Sequence, residues 1–297
     1  ADSNLNLIIF KGDLRDKNFV QIVFSDIYKF NRKIDGVIHF AGLKSVFESK
    51  LNPLLYWKTN ILGTLNLLEI MNTYQCNNFV FSSSATVYAQ TKNSLLKENS
   101  NIGPINPYGN TKLTVEKILQ DVFSSNPNIW KILSLRYFNP VGAHPSGLIG
   151  EIPFSNSSNL FPVIMNVILG KQKKLSIYGN DWPTSDGTCI RDFIHIMDLS
   201  WAHLYGLKFI MGNSSQINSI NIGTGKGISI MEVVNTFLNM GVSLPFEFDK
   251  RREGDFHYVV ADNSLALNVL NWRPLRNLDE MCLDSLNWIE NYKKIKL

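Results

Sequence analysis

The sequence predicts an α/β fold built on a parallel sheet, and three observations lead to it. Short apolar runs recur at residues 36–42, 79–81 and 132–138, with the length and composition of strands buried on both faces. Between them lie stretches with apolar residues at helical spacing, residues 62–71 and 113–122. Strands that alternate with helices form parallel sheets with right-handed crossovers. The chain has 297 residues, 44% of them hydrophobic, enough to bury a full core as one composite unit or two domains.

The elements follow in order. The run Gly36-Val37-Ile38-His39-Phe40-Ala41-Gly42 ends in small residues, which let a ligand approach the backbone. Phe79-Val80-Phe81 passes directly into Ser82-Ser83-Ser84, so the serines fall at the carboxyl end of a strand, where open α/β sheets bind ligands. The third run, from Ile132 to Phe138, is stopped by Asn139-Pro140. A domain boundary is expected there, giving residues 1–140 and 141–297, with some later segments returning to the first part. No internal repeat or low-complexity tract interrupts the chain. Gly223-Thr224-Gly225-Lys226-Gly227 follows an apolar run and precedes a helix, but its spacing is wrong for a dinucleotide loop. It reads as a turn, with Ser229 and Glu232 forming the capping box of the next helix.

The chemistry-bearing residues are Ser84, Tyr108 and Lys112. Twenty-four residues separate Ser84 from Tyr108, and Lys112 follows four later, so a helix there puts Tyr108 and Lys112 on one face. A phenol with a pKa near 10 is a poor base at neutral pH; lowering it by about three units means stabilising the phenolate by about 4 kcal/mol. Lys112 is expected to hold Tyr108 partly ionised, with Ser84 bonding the same substrate oxygen. Against this stands the ordinary occurrence of tyrosine and lysine on helix surfaces.

Composition excludes other classes. A net charge of +4 without basic blocks interleaved with aromatics argues against nucleic acid. The three cysteines, Cys76, Cys189 and Cys282, are far apart and odd in number, as in reduced cytoplasmic proteins. His39, His144, His195, His203 and His257 show no ligand spacing, so no metal is expected and the histidines read as structural. No apolar run reaches a membrane span, and the amino terminus lacks the regions of a signal peptide.

Five segments carry a resemblance: Phe40-Ala41-Gly42-Leu43-Lys44, Ser82-Ser83-Ser84-Ala85-Thr86-Val87-Tyr88, Tyr108-Gly109-Asn110-Thr111-Lys112, Arg136-Tyr137-Phe138-Asn139-Pro140-Val141-Gly142-Ala143-His144-Pro145 and Arg251-Arg252-Glu253-Gly254-Asp255. Together with the stretch from Gly179 to His195 they resemble the UDP-glucose 4-epimerase family, of the extended short-chain dehydrogenase/reductase superfamily, almost end to end. The resemblance implies a Rossmann-like parallel sheet with a smaller mixed α/β substrate domain. That family opens on a strand and a GxxGxxG loop that holds the dinucleotide pyrophosphate. Here Leu7-Ile8-Ile9-Phe10-Lys11-Gly12-Asp13 already resembles its third strand, so the expectation is a chain lacking two strands and two helices.

By resemblance, the cofactor is NAD and the substrate a UDP-sugar. Asp13 and Leu14 would lie by the adenine, and Phe40, Ala41, Gly42, Leu43 and Lys44, with Asn60, along the cofactor. Phe138 would flank the nicotinamide. Ser84, Tyr108 and Lys112 would be catalytic. Asn139, Asn159, Leu160, Leu175, Ser176, Ile177, Tyr178, Arg191, Arg252 and Asp255 would hold the UDP-sugar. Arginines suit this because a planar guanidinium grips phosphate oxygens through two bonds; either arginine alone also reads as a surface ion pair, and Lys44 as an ordinary exposed lysine. Val259, four residues after Asp255, would bound the hexose near C2. A tyrosine at that place is associated with rejecting N-acetylated sugars; valine would admit them, unless a register slip put Tyr258 there.

The implied reaction is 4-epimerisation of UDP-galactose and UDP-glucose through a 4-keto sugar. Sugar-nucleotide 4,6-dehydratases use an Asp-Glu pair after the serine or threonine; here Ala85 and Thr86 stand there, and neither transfers protons at neutral pH. Two alternatives remain, another nucleotide-sugar enzyme such as a pentose 4-epimerase, and a non-catalytic binding protein, favoured only by the missing dinucleotide loop. The family's helix-joined dimers make a homodimer an expectation.

Overall fold

The computed structural model describes residues 7–29, 32–89, 95–152 and 159–296. Its centre is a four-stranded parallel sheet in the order β1 (Val37–His39), β2 (Asn78–Ser82), β3 (Lys131–Tyr137) and β8 (Gln216–Ile222). The register sets Val37 opposite Phe79, Phe79 opposite Ile132, and Leu133 opposite Asn218.

Strand pleating sends alternate side chains to two cores. Phe79, Phe81 and Ile132 pack under α1 (Lys17–Lys29), α4 (Gly63–Thr73) and α5 (Pro107–Ser125) with Phe24, Met71 and Leu119. Val80, Leu133 and Leu135 pack on the other face beneath α7 (Ile196–Gly212) and α9 (Ser264–Leu270), with Leu199, Ile220 and Ile222. Both faces are covered, which is why the strands read as continuous apolar runs. Two short helices, α2 (Val46–Leu51) and α3 (Pro53–Trp57), lead from the end of β1 to α4 and lie against α5.

A further core belongs to the second half. There α6 (Leu160–Ile168), α8 (Ile230–Asn239) and α10 (Leu278–Lys296) enclose Phe161, Ile164, Phe193, Val234, Phe237 and Ile289. Three small sheets complete it: β5 (Leu175–Tyr178) with β10 (Phe246–Asp249), β4 (Asn139–Val141) with β7 (Phe193–His195), and β6 (Ile190–Arg191) between β9 (Ile228–Ser229) and β11 (Tyr258–Val259). Because β8, α7 and α9 come from beyond residue 141 yet complete the first sheet, the chain crosses between the two parts more than once.

One expectation needs correction. Residues 7–13 form no strand; Leu7 and Ile9 are about four-fifths exposed (80% and 79%). A parallel strand exists only through its neighbours' hydrogen bonds, and among the described residues β1 pairs on the β2 side alone. The run from Ile132 does stop before Asn139-Pro140, as expected, because β3 ends at Tyr137; the chain then changes sheet. Asn139 and Pro140 open β4, where proline is tolerated because among the described residues that strand pairs with β7 only. The turn at residues 223–227 and the reciprocal Ser229–Glu232 cap are present as expected.

Candidate active site

Local chemistry starts α5 where the site needs it. Asn106 caps the helix by accepting from the Gly109 amide at 2.8 Å, and Pro107 occupies the first turn. Gly109 has a second use: a Cβ there would meet the Thr86 carbonyl oxygen at 2.6 Å. Only glycine lets α5 lie this close to the turn after the serines. Tyr108 thereby reaches Ser84, and both are buried, at 6% exposure each.

Lys112, one turn on and equally buried, donates to the Ser82 carbonyl at 2.8 Å. Its ammonium lies 5.8 Å from the Tyr108 ring centre and 4.8 Å from that of Phe81. The three residues picked from sequence are thus assembled at the carboxyl end of β2.

Their electrostatics differ from expectation. Burial pushes the Tyr108 phenol well above its ordinary range; nearby Tyr137 adds to this, while a hydrogen bond with Ser84 pulls the other way. Burial also lowers Lys112 to about 8, opposed by the charge of Glu116. In the ligand-free protein burial thus opposes ionisation of Tyr108, and Ser84 is the group that favours it. The helical spacing correctly gives a shared face, but it says nothing of the desolvation both groups suffer.

The other expected cofactor residues form two groups. At the carboxyl end of β1, Phe40, Ala41, Gly42 and Lys44 are exposed. Asn60, in a π-helical turn over Lys58–Leu62, fixes this loop: its carbonyl accepts from Leu43 N at 2.8 Å, and its amide donates to Leu43 O and Thr111 Oγ1 at 3.1 and 3.0 Å. Such turns concentrate at functional sites. Asn60 acts by shaping the loop, and Lys44 pairs with Glu151 at 2.6 Å. Asp13 is held down to about 2 by hydrogen bonds from Arg15, and Leu14 offers its carbonyl to Asn66. Phe138 is buried with Val87, Tyr88 and Ala261.

Of the expected substrate residues, Asn139 donates twice to the Asp192 carbonyl, from its backbone and its side chain. Asn159 and Leu160 begin α6. Leu175 and Ile177 point into the second core, at 1% and 2% exposure. The pleat that buries them leaves Ser176 and Tyr178 as the outward side chains of β5. Arg252 lies over the Tyr178 ring at 4.1 Å. Arg191 donates to Ile190 O and Phe256 O and sits 4.0 Å from Asp255. Val259 pairs with Arg191 across β11 and β6.

Sequence reasoning passed over Asp192, which is fully buried. Its carboxylate accepts from Thr224 N and Oγ1, both at 2.7 Å, from Gly225 N at 3.0 Å and from Ala261 N at 3.1 Å. The glycine turn's amides are thus spent on a carboxylate of this chain. A signal existed in the acidic residue directly after Arg191, but nothing in sequence placed it beside that turn.

These residues fit NAD on one observation. The buried Lys112 ammonium has three N–H groups, and among the described residues only the Ser82 carbonyl accepts one. Hydroxyls of a ribose would satisfy the remainder.

The sequence profile of the family described as GDP-mannose 4,6 dehydratase matches residues 1–285. A UDP-glucose 4-epimerase 2 from Oryza sativa subsp. japonica is 45% identical over 290 residues, covering 97% of this chain and 70% of that protein. A UDP-glucose 4-epimerase from Bacillus subtilis (strain 168) is 44% identical over 284 residues, covering 95% and 82%. The crystal structure of a UDP-glucose-4-epimerase from Stenotrophomonas maltophila, with bound NAD and formylated UDP-arabinopyranose, superposes with a TM-score of 0.91 at 40% identity, covering 97% of this chain and 84% of that one. Ala85 and Thr86, beside Ser84, lack the acid and base of a dehydratase, so the site agrees with these relatives. This chain belongs to the UDP-glucose 4-epimerase family.

Proposed function

We propose that this protein interconverts UDP-galactose and UDP-glucose by NAD-dependent 4-epimerisation, with Ser84, Tyr108 and Lys112 as its catalytic residues. The observation that carries the reading is the buried assembly of those three side chains at the carboxyl end of β2. NAD, when bound, supplies a hydride acceptor and donor beside the sugar. Tyr108 exchanges the proton of the C4 hydroxyl, Ser84 shares that oxygen, and Lys112 binds cofactor hydroxyls while adding positive charge nearby. The 4-keto sugar must pivot to be reduced on its other face. Anchoring therefore falls on the UDP, through Arg191, Arg252, Asn139 and the outward side of β5. Phe40 to Lys44, with Asp13 and Leu14, line the cofactor side.

A substrate pentose is the second reading, supported by the arabinopyranose in the Stenotrophomonas structure. A homodimer is also proposed: Phe47, Leu51, Leu54 and Trp57 on α2 and α3 are exposed apolar side chains beside α5, and sedimentation at micromolar concentration tests it. No helix among the described residues is long and apolar enough to cross a membrane; the buried, unpaired cysteines support a cytoplasmic site of action.

The functional test is a coupled assay with UDP-galactose. Tyr108→Phe is expected to lower turnover by about two orders of magnitude or more, the scale of a lost acid/base group, with the fold unchanged by circular dichroism. Wild-type turnover in that variant refutes the assignment.

A further inference from the structure

Tyr108 and Lys112 share their face of α5 with a third ionisable residue, Glu116, a further turn along. Its side chain is 8% exposed, and it meets the equally buried Arg136 of β3 through three bonds, Nη2 to Oε2 at 2.6 Å and Nε to Oε1 and Oε2 at 3.0 and 3.2 Å. The same carboxylate accepts from the Ser83 hydroxyl at 2.5 Å. Arg136 also donates to Tyr88 and to the Glu98 carbonyl, at 3.1 and 3.0 Å.

Stability does not call for this arrangement. A buried ion pair is commonly matched or bettered by apolar residues of the same volume. What apolar residues could not provide is the bond to Ser83, next to Ser84, and a negative charge on the Lys112 face. We propose that Glu116 is a positioning residue of the catalytic helix: its carboxylate locks the serine end of β2 against α5 and supplies a negative charge set against the Lys112 ammonium.

The surroundings support this. Lys112 donates to the Ser82 carbonyl of β2 and lies near the Tyr108 ring of its own helix, and its charge is felt by His39 of β1 and His203 of α7. Tyr108 in turn feels Tyr137 of β3 and Tyr56 of α3. Both imidazoles are buried and neutral near pH 7, and the phenols are un-ionised there, so among the described residues only Glu116 favours the cation. Even with Glu116 opposing it, burial draws Lys112 down to about 8; without Glu116 it would fall further.

The inference rests on the catalytic assignment above, and its test separates the two. In the ligand-free protein, Lys112 is titrated by nitrogen NMR, with Lys112→Met identifying its signal. Glu116→Gln is expected to move that titration down by about one pH unit, the low end of the effect of a nearby opposite charge. Because this variant strands the Arg136 charge, the double variant Glu116→Gln/Arg136→Met provides a folded alternative; with the guanidinium gone as well, a smaller shift in the same direction is expected. In the enzyme, kcat for UDP-galactose should then be lost at correspondingly lower pH while KM changes little. A Lys112 titration like wild type in either folded variant overturns the proposal. Absence of epimerase activity in the wild-type enzyme would instead count against the functional reading, leaving the titration result intact.

Discussion

At the scale of one residue, we propose that Val259 bounds the sugar and so sets substrate range. It pairs with Arg191 and packs with Ala85, Val87 and Phe138, while its neighbour Tyr258 points to the opposite side of the strand. This pleating favours Val259 over Tyr258 as the group bounding the sugar. Comparable catalytic efficiency on UDP-galactose and UDP-N-acetylgalactosamine is expected. Val259→Tyr should depress the second activity alone by roughly 10 to 200-fold, the range of steric discrimination. Equal loss of both activities would remove Val259 from this role. Asp192 is a residue of another kind: four donors converge on its buried carboxylate, and its backbone holds Asn139 and Val259. Asp192→Ala strands several buried donors, each costing about 1–3 kcal/mol. A fall in stability of about 4 kcal/mol or more is expected in urea unfolding.

Among the elements, the π-helical turn before α4 stands out because it delivers Asn60 to the loop after β1. Sequence periodicity placed a helix from residue 62 but could not show that the preceding turn widens, since widening depends on what Asn60 bonds. Asn60→Ala leaves the Leu43 amide and the Thr111 hydroxyl without this partner. A loss of about 3 kcal/mol is expected, with weaker NAD binding by calorimetry; unchanged NAD affinity would show that the loop needs no such brace. The cap of α8 was legible, because a serine followed three residues later by glutamate satisfies the first amides whatever the surroundings. Ser229→Ala should cost about 1 kcal/mol.

For the molecule as a whole, buried histidines shape the response to acid; burial lowers His195 too, and two others carry the largest shifts. His39 bonds Thr64 at 2.9 Å on one face of the sheet, and His203 donates to the Leu199 carbonyl at 2.9 Å on the other. Burial, aided by Lys112, depresses His39 to about 3; burial likewise depresses His203 to about 4. Both folded values lie below the unfolded 6.5, so the unfolded chain binds protons first. Stability is full above pH 6.5 and falls as pH drops toward 4. At pH 5 each histidine should cost about 2 kcal/mol. Urea unfolding at pH 7 and pH 5 measures the loss, and replacing both histidines by glutamine should flatten it; an unchanged slope would place the acid sensitivity elsewhere.

By itself the sequence determined the alternation of buried strands and helices, the serine at a strand end, the Tyr108–Lys112 face and the absence of a dehydratase acid and base. These are local facts, fixed by periodicity and side-chain type. Tertiary structure decided what depends on distant neighbours. It left residues 7–13 without a partner strand, extended Asn139-Pro140 into β4, turned Leu175 and Ile177 into the core, and spent the glycine turn on Asp192. It also set the charge state of the site. Whether Tyr108 and Lys112 stay protonated follows from the water excluded around them and from Glu116, none of which helical spacing can express.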